Sequence, residues 1–391
     1  MPAQRTASHT TCDIFCNVID NYGDIGVCWR LARLLANEHG LAVRLWVDDL
    51  TSFAKLCPQA DASLKSQQQR GVTVCLWRKE FAATQPADIV IAAFACKLPE
   101  LYVEAMAALE HPSIWINLEY LSAEDWVEGC HGLPSPHPRL PLTKYFFFPG
   151  FTKQTGGLML ERDLLTRRDA FQNDVVAQHT FWRGIGMDMP AADTLKVSLF
   201  AYENAALPGL FDVWANGVQA VLCLVPEGRI LPQVAAYFAE VARDYSRGNL
   251  QVRVLPFVAQ EDYDPLLWVC DVNFVRGEDS CVRAQWAGKP FVWQIYPQHD
   301  AVHWEKLQAF LDLYSVGLDS PAAQAMQTLW KAWNDEGDAA AAWPAYAAAL
   351  TELNTHAPGW AGLLAENELA LNLLDFCQKA GRMRALKIEG Q

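Results

Sequence analysis

The sequence predicts an α/β protein of two Rossmann-like domains facing each other across a cleft. Short apolar runs rich in β-branched and aromatic residues alternate with amphipathic stretches nearly throughout. The alternation comes as two series, one ending before about residue 150 and one starting near 195. With 391 residues, 51% of them apolar, the chain can bury two cores of ordinary size.

In the first series, strands are expected at 12–18 (CDIFCNV), 42–47 (AVRLWV), 72–77 (VTVCLW), 88–94 (DIVIAAF) and 113–120 (SIWINLEY). Residues 26–40 (GVCWRLARLLANEHG) have helical periodicity, and Gly40 suits the C-terminal cap. The Pro- and His-rich stretch 131–141 (HGLPSPHPRLP) reads as an exposed loop without regular structure. Residues 145–157 (YFFFPGFTKQTGG) read as an ordered loop over the cleft. The second series has strands at 196–202, 219–225, 250–257, 270–277 and 291–296, with a helix over 231–245 (LPQVAAYFAEVARDY). The tail from about 300 is helical, and no period of 20–50 residues marks a solenoid. The expected domains are 1–185, which holds the acceptor, and 186–360, which holds a nucleotide. A helix in 361–391 is expected to pack back on the first.

Composition narrows the function. A net charge of −14 argues against generic binding to nucleic acid or to an anionic membrane, both of which favour basic patches. The first ten residues lack the charged-then-apolar layout of a signal peptide. The longest apolar run, 89–96, is too short to span a bilayer. Eleven cysteines without a C-x-x-C pair suggest reduced core thiols and a cytoplasmic protein.

Ligands in such sheets bind beyond the carboxyl ends of the strands. Two places there carry chemistry. In VRGEDSCVRAQWAGKP (275–290) a buried strand hands over to an amphipathic helix, with Asp279 or Ser280 as N-cap. Free first-turn N–H groups and the helix dipole favour an anion, and Arg276 can fork onto phosphate oxygens. Glu278 would repel phosphate, so it suits sugar hydroxyls. A capped helix with a solvated Arg–Glu pair explains the same residues about equally well. In LPFVAQEDYDPLLW (255–268), Phe257 offers a wall for a flat base and Gln260 a reader of its polar edge. The D-x-D of Asp262 and Asp264 is discounted as a metal clamp, because Pro265 marks a helix start with Asp264 as cap. Phe200 and Tyr202 (LFAYEN) form an aromatic lip at another strand end; core packing explains Phe200 equally well.

The second place is the first strand-to-helix turn, NVIDNYGDIG (17–26), where a phosphate cradle would normally lie. It lacks the G-x-G-x-x-G spacing, which removes a nicotinamide-dependent oxidoreductase, and it carries two carboxylates instead. Asp24 is explained as the N-cap of a helix starting near Ile25. Asp20 either closes an Asx turn with Asn21 and Tyr22 or faces the cleft as a base or a cation's partner. Asn21, Tyr22 and Gly23 stand on the acceptor side.

Residues 13–35 (DIFCNVIDNYGDIGVCWRLARLL) and 274–298 (FVRGEDSCVRAQWAGKPFVWQIYPQ) together resemble the EarP family, the protein-arginine rhamnosyltransferases that mature elongation factor P. The resemblance covers essentially the whole chain. It implies a GT-B glycosyltransferase fold, dTDP-β-L-rhamnose as donor, and an arginine of elongation factor P as acceptor. It also implies inversion at the anomeric carbon without a bound metal or other cofactor. By resemblance, Asp20 is the base and Glu278 a second essential carboxylate. Asp24 joins the catalytic candidates on other grounds, because a simple cap does not require charge and this turn carries two carboxylates. Phe200, Tyr202, Phe257, Gln260, Arg276, Glu278, Asp279 and Ser280 match donor-binding positions. A carboxylate-lined turn is a physically apt holder for a cationic acceptor. The alternatives are a GT-B enzyme with another donor or acceptor, and a non-catalytic bilobed nucleotide-sugar binder.

Overall fold

The computed structural model describes residues 10–18, 22–78, 81–297 and 302–389, with side chains to Arg382. The chain divides into two compact units, Met1–Arg162 with Leu364–Gln391, and Asp163–Leu363.

The first unit holds strands β1 (Thr11–Cys16), β2 (Ala42–Val47), β3 (Ser66–Gln69), β4 (Val72–Leu76), β5 (Ile89–Ala93), β6 (Ile114–Leu118), β7 (Pro134–Pro136) and β8 (Thr143–Phe147). They lie in the order β3-β4-β2-β1-β5-β6-β8-β7, parallel except for the edge strands β3 and β7. A parallel sheet is buried on both faces, so alternate residues of β1 enter different cores. Cys12, Ile14 and Cys16 meet Leu31 and Leu35 of the helix Gly23–Asn37. Phe15 meets Trp77 and Tyr102 on the opposite face. Asp13 shares that second face and is fully buried. Its carboxylate accepts two 2.6 Å bonds from Arg44, a 3.1 Å bond from Trp46 Nε1, and a short bond from the Tyr102 hydroxyl. The partners come from register, since Asp13 pairs with Arg44 across β1 and β2.

The C-terminal helix Leu369–Glu389 belongs to this unit and adds Leu369, Ala370, Leu373 and Cys377 to the first core. Its approach is tight at Gly157, whose φ is +79° and whose added Cβ would lie 2.1 Å from the Asn367 carbonyl oxygen. Only glycine allows that passage.

The second unit holds β9 (Leu195–Leu199), β10 (Val221–Pro226), β11 (Asp244–Arg247), β12 (Leu250–Leu255), β13 (Val272–Arg276) and β14 (Phe291–Gln294). Their order is β11-β12-β10-β9-β13-β14, all parallel but β11. Phe274 of β13 packs on Trp333 at 4.9 Å, and Trp214 packs on Trp343 at 5.2 Å. This aromatic core anchors the strand that ends at Arg276.

Four expectations change. The 131–141 stretch contains β7, an edge strand on which proline removes no needed ladder bond. Residues 145–147 complete β8 rather than opening a loop. The helix expected over 231–245 stops at Phe238, where Ala239 turns left-handed (φ 56°) and leads to β11. Tyr245 of β11 then stacks on Phe238 at 4.7 Å, so the apolar periodicity there is that of a strand folding back. The first unit ends at Arg162 rather than 185, because the helices Leu164–Asn173 and Val175–Gly184 belong to the second. Arg168 donates to the Trp286 carbonyl at 2.9 Å and Gln172 to the Ala287 carbonyl at 3.1 Å.

Among the described residues no cysteine forms a disulfide, and all but Cys96 and Cys130 are buried. Burial pushes the Cys96 thiol up to about 12, which leaves it inert. No described helix is long and apolar enough to cross a membrane.

Candidate active site

In the second unit the strand ends gather most of the residues expected to hold a donor. Phe200 follows β9, and its N–H donates to the Phe274 carbonyl at 2.9 Å. The Tyr202 N–H donates to Gln294 Oε1 at 2.8 Å. Arg276, the last residue of β13, is 5% exposed. Its guanidinium carbon lies 4.6 Å from the Phe200 ring centre and 4.4 Å from that of Tyr202. The buried Nε of Arg276 makes no hydrogen bond. A desolvated cationic donor left in that state is costly, and such groups commonly await an ion or ligand.

Gly277, with φ +64°, turns the chain from β13 into the helix Asp279–Trp286, and its carbonyl accepts Trp293 Nε1 at 2.7 Å. The expected N-cap is corrected here. Glu278 occupies the cap position with helical backbone angles and no side-chain cap bond. Asp279 instead accepts Gln260 Nε2 at 2.9 Å, and the Ser280 hydroxyl bonds back to the Arg276 carbonyl. Gln260 thus spends its amide on Asp279 and joins the end of β12 to the helix start. Glu278 pairs with Lys306 Nζ at 3.3 Å, and both side chains are less than a fifth exposed. Phe257, half-buried, stands two residues beyond β12.

Asp264 is not a cap either. The helix Tyr263–Val269 starts from Asp262, and Asp264 is buried against Arg283, which grips it at 2.7 and 2.5 Å. Arg283 is fully buried. A carboxylate committed in this way is not available as half of a metal clamp.

In the first unit, Asp20 and Asn21 lie outside the described residues. Asp48 accepts Asn17 Nδ2 at 3.0 Å and the Val18 N–H at 2.9 Å, at the last described residues before them. Tyr22 takes the N-cap position of the helix Gly23–Asn37 without a side-chain cap bond, and Gly23 is its first residue. Asp24 is therefore inside the first turn, not at the cap; it is 4% exposed, where the helix dipole favours its charge. The Tyr120 hydroxyl lies 3.5 Å from Asp24 Oδ1, and the Tyr120 ring stacks on Phe94 at 4.5 Å. Sequence reasoning did not single out Asp48, Phe94 or Tyr120. Their signal was modest, a polar or aromatic residue just past an apolar strand.

The second unit thus offers a buried cation between aromatic rings, chemistry for an anion joined to a flat group. The first offers carboxylate and aromatic surface, chemistry for a cation. The family model for the elongation factor P rhamnosyltransferase EarP matches residues 12–378. The chain belongs to the EarP family.

Relatives within EarP agree. A protein-arginine rhamnosyltransferase of Pseudomonas putida is 54% identical over 372 residues, covering 94% of this chain and 98% of that protein. One from Shewanella oneidensis is 41% identical over 399 residues, covering 97% and 100%. A solved structure described as the basis of EarP-mediated arginine glycosylation of translation elongation factor EF-P is 39% identical, with a TM-score of 0.69. It covers 94% of this chain and 99% of that one. As an EarP-family member the chain is a protein-arginine rhamnosyltransferase with the two Rossmann-like domains of a GT-B glycosyltransferase. Family membership removes the non-catalytic sugar binder.

Proposed function

We propose that the chain transfers rhamnose from dTDP-β-L-rhamnose to one arginine of elongation factor P in the cytoplasm. The observation that carries the donor half is Arg276, buried between two aromatic rings with an unsatisfied Nε. The diphosphate takes that donor and the first-turn amides of Asp279–Trp286, which stabilise the leaving dTDP where charge develops. Phe257 lies against the base. Glu278, held by Lys306, accepts sugar hydroxyls.

The acceptor half rests on Asp20. A guanidinium has a pKa above 12, so a carboxylate does not strip it in the ground state. The arginine nitrogen bonds to the anomeric carbon from the face opposite dTDP, the bond from that carbon to the phosphate oxygen breaks, and Asp20 takes the nitrogen's proton as it becomes acidic. Intact-mass analysis of elongation factor P, after incubation with this protein and dTDP-rhamnose, is expected to show one added deoxyhexose. An unmodified acceptor under conditions where the donor binds would refute the reading.

Arg276→Ala is expected to weaken dTDP binding about 10- to 100-fold, the worth of one charge-assisted contact. Calorimetry giving wild-type affinity would remove Arg276 from the site. Transfer is also expected to survive EDTA, since Asp264 is committed to Arg283. Activity lost to chelation and restored by magnesium or manganese would show that a metal holds the diphosphate.

A further inference from the structure

We propose that the stacked pair Phe94–Tyr120 is the platform on which the first unit receives a guanidinium, with Tyr120 setting acceptor affinity. The proposal rests on the reading of the acceptor as an arginine side chain.

The backbone is the first sign. Phe94 and Ala95, at the carboxyl end of β5, both adopt left-handed conformations with φ of 55°. Two consecutive non-glycine residues there are rare, and such strain persists where the surroundings over-determine it, often at ligand clamps. The turn is pinned by the Phe94 N–H, which donates to the Leu118 carbonyl at 2.7 Å. Its result is that the Phe94 ring lies nearly parallel to the Tyr120 ring, 4.5 Å away at 20°.

Tyr120 then faces two environments. The residue is 37% exposed although it stands two residues past the buried end of β6. Its hydroxyl reaches to 3.5 Å from Asp24 Oδ1, a carboxylate that is 4% exposed. Simple core packing would explain a buried Tyr120, and a surface tyrosine would need no strained phenylalanine behind it. An aromatic face beside a carboxylate is the pairing that a planar guanidinium satisfies at once, by stacking and by charge-assisted hydrogen bonds. A compact ammonium gains the charge but stacks poorly, so the same platform favours arginine over lysine.

The test compares wild type, Tyr120→Leu and Tyr120→Phe with dTDP-rhamnose and elongation factor P. Tyr120→Leu is expected to raise the acceptor KM about 5- to 30-fold, the range of a desolvated cation–π contact, while Tyr120→Phe stays within about threefold. Melting temperature and dTDP affinity should match wild type in both. An unchanged KM in Tyr120→Leu overturns the platform. So does an equal loss in both variants, which would assign the effect to the hydroxyl, or a parallel loss of melting temperature, which would mark a packing role. Wild-type turnover is measured first. If there is none, the acceptor reading fails, and N-acetyl-arginine amide titrated by NMR into wild type and Tyr120→Leu still decides the platform. Binding that Tyr120→Leu weakens supports it, and binding that Tyr120→Leu retains, or none to wild type, overturns it.

Discussion

Asp20→Asn is expected to lower turnover about 10²–10⁴-fold, the usual contribution of a positioned base. The change keeps the size of the side chain and part of its hydrogen bonding, and removes only the negative charge and the ability to accept a proton. Donor affinity should stay near wild type, since Arg276 and its aromatic partners belong to the other unit. Asp24→Asn is the informative comparison. Asp24 does not cap its helix, so the familiar interchange of Asp and Asn at a cap does not apply. It sits in the first turn, buried, within reach of the Tyr120 hydroxyl. Activity is expected to fall in Asp24→Asn while the fold holds. Turnover, dTDP affinity and melting temperature of both variants decide this together. Full activity in Asp20→Asn would refute the mechanism, and lost dTDP binding would put the nucleotide in the wrong unit.

Asp264→Ala is expected to destabilise the second unit by about 3–5 kcal/mol, because it removes the carboxylate that takes two hydrogen bonds from the fully buried Arg283 guanidinium. The pair ties the helix Tyr263–Val269 to Asp279–Trp286, which carries Glu278 at its cap and Asp279 and Ser280 in its first turn. Weaker dTDP binding should accompany the loss of stability. The double variant Asp264→Leu with Arg283→Met removes both charges and is expected to recover much of the loss. Urea denaturation of the three proteins measures it. A change below about 1 kcal/mol in Asp264→Ala would refute the view that this pair matters to the stability of the unit.

Much of the fold was legible because its signals are local. Strand-like runs separated by helical periodicity announce parallel α/β layers, and the two series announce two units. Where the reading missed, the local signal was ambiguous. The run 231–245 keeps helical periodicity past Phe238, where Ala239 turns left-handed and ends the helix ahead of β11. Prolines at 134 and 136 argue against a strand unless it lies at an edge, and edge position is a property of the whole sheet.

The candidate site divides in the same way. The chain by itself determined that Arg276 ends a strand, that a helix follows at once, and that two aspartates replace the phosphate cradle at 17–26. Those are consequences of neighbours in sequence. Tertiary structure alone decided that Phe200 and Tyr202 bracket the Arg276 guanidinium and that Asp264 is spent on Arg283. It also decided that Asp24 meets Tyr120, 96 residues away, and that Asp13 is paired with Arg44 and accepts a hydrogen bond from Tyr102. The reason is physical. A side chain's partners across a parallel sheet depend on strand order and register, which follow from burying both faces at once, and no periodicity along one strand encodes which strand lies beside it.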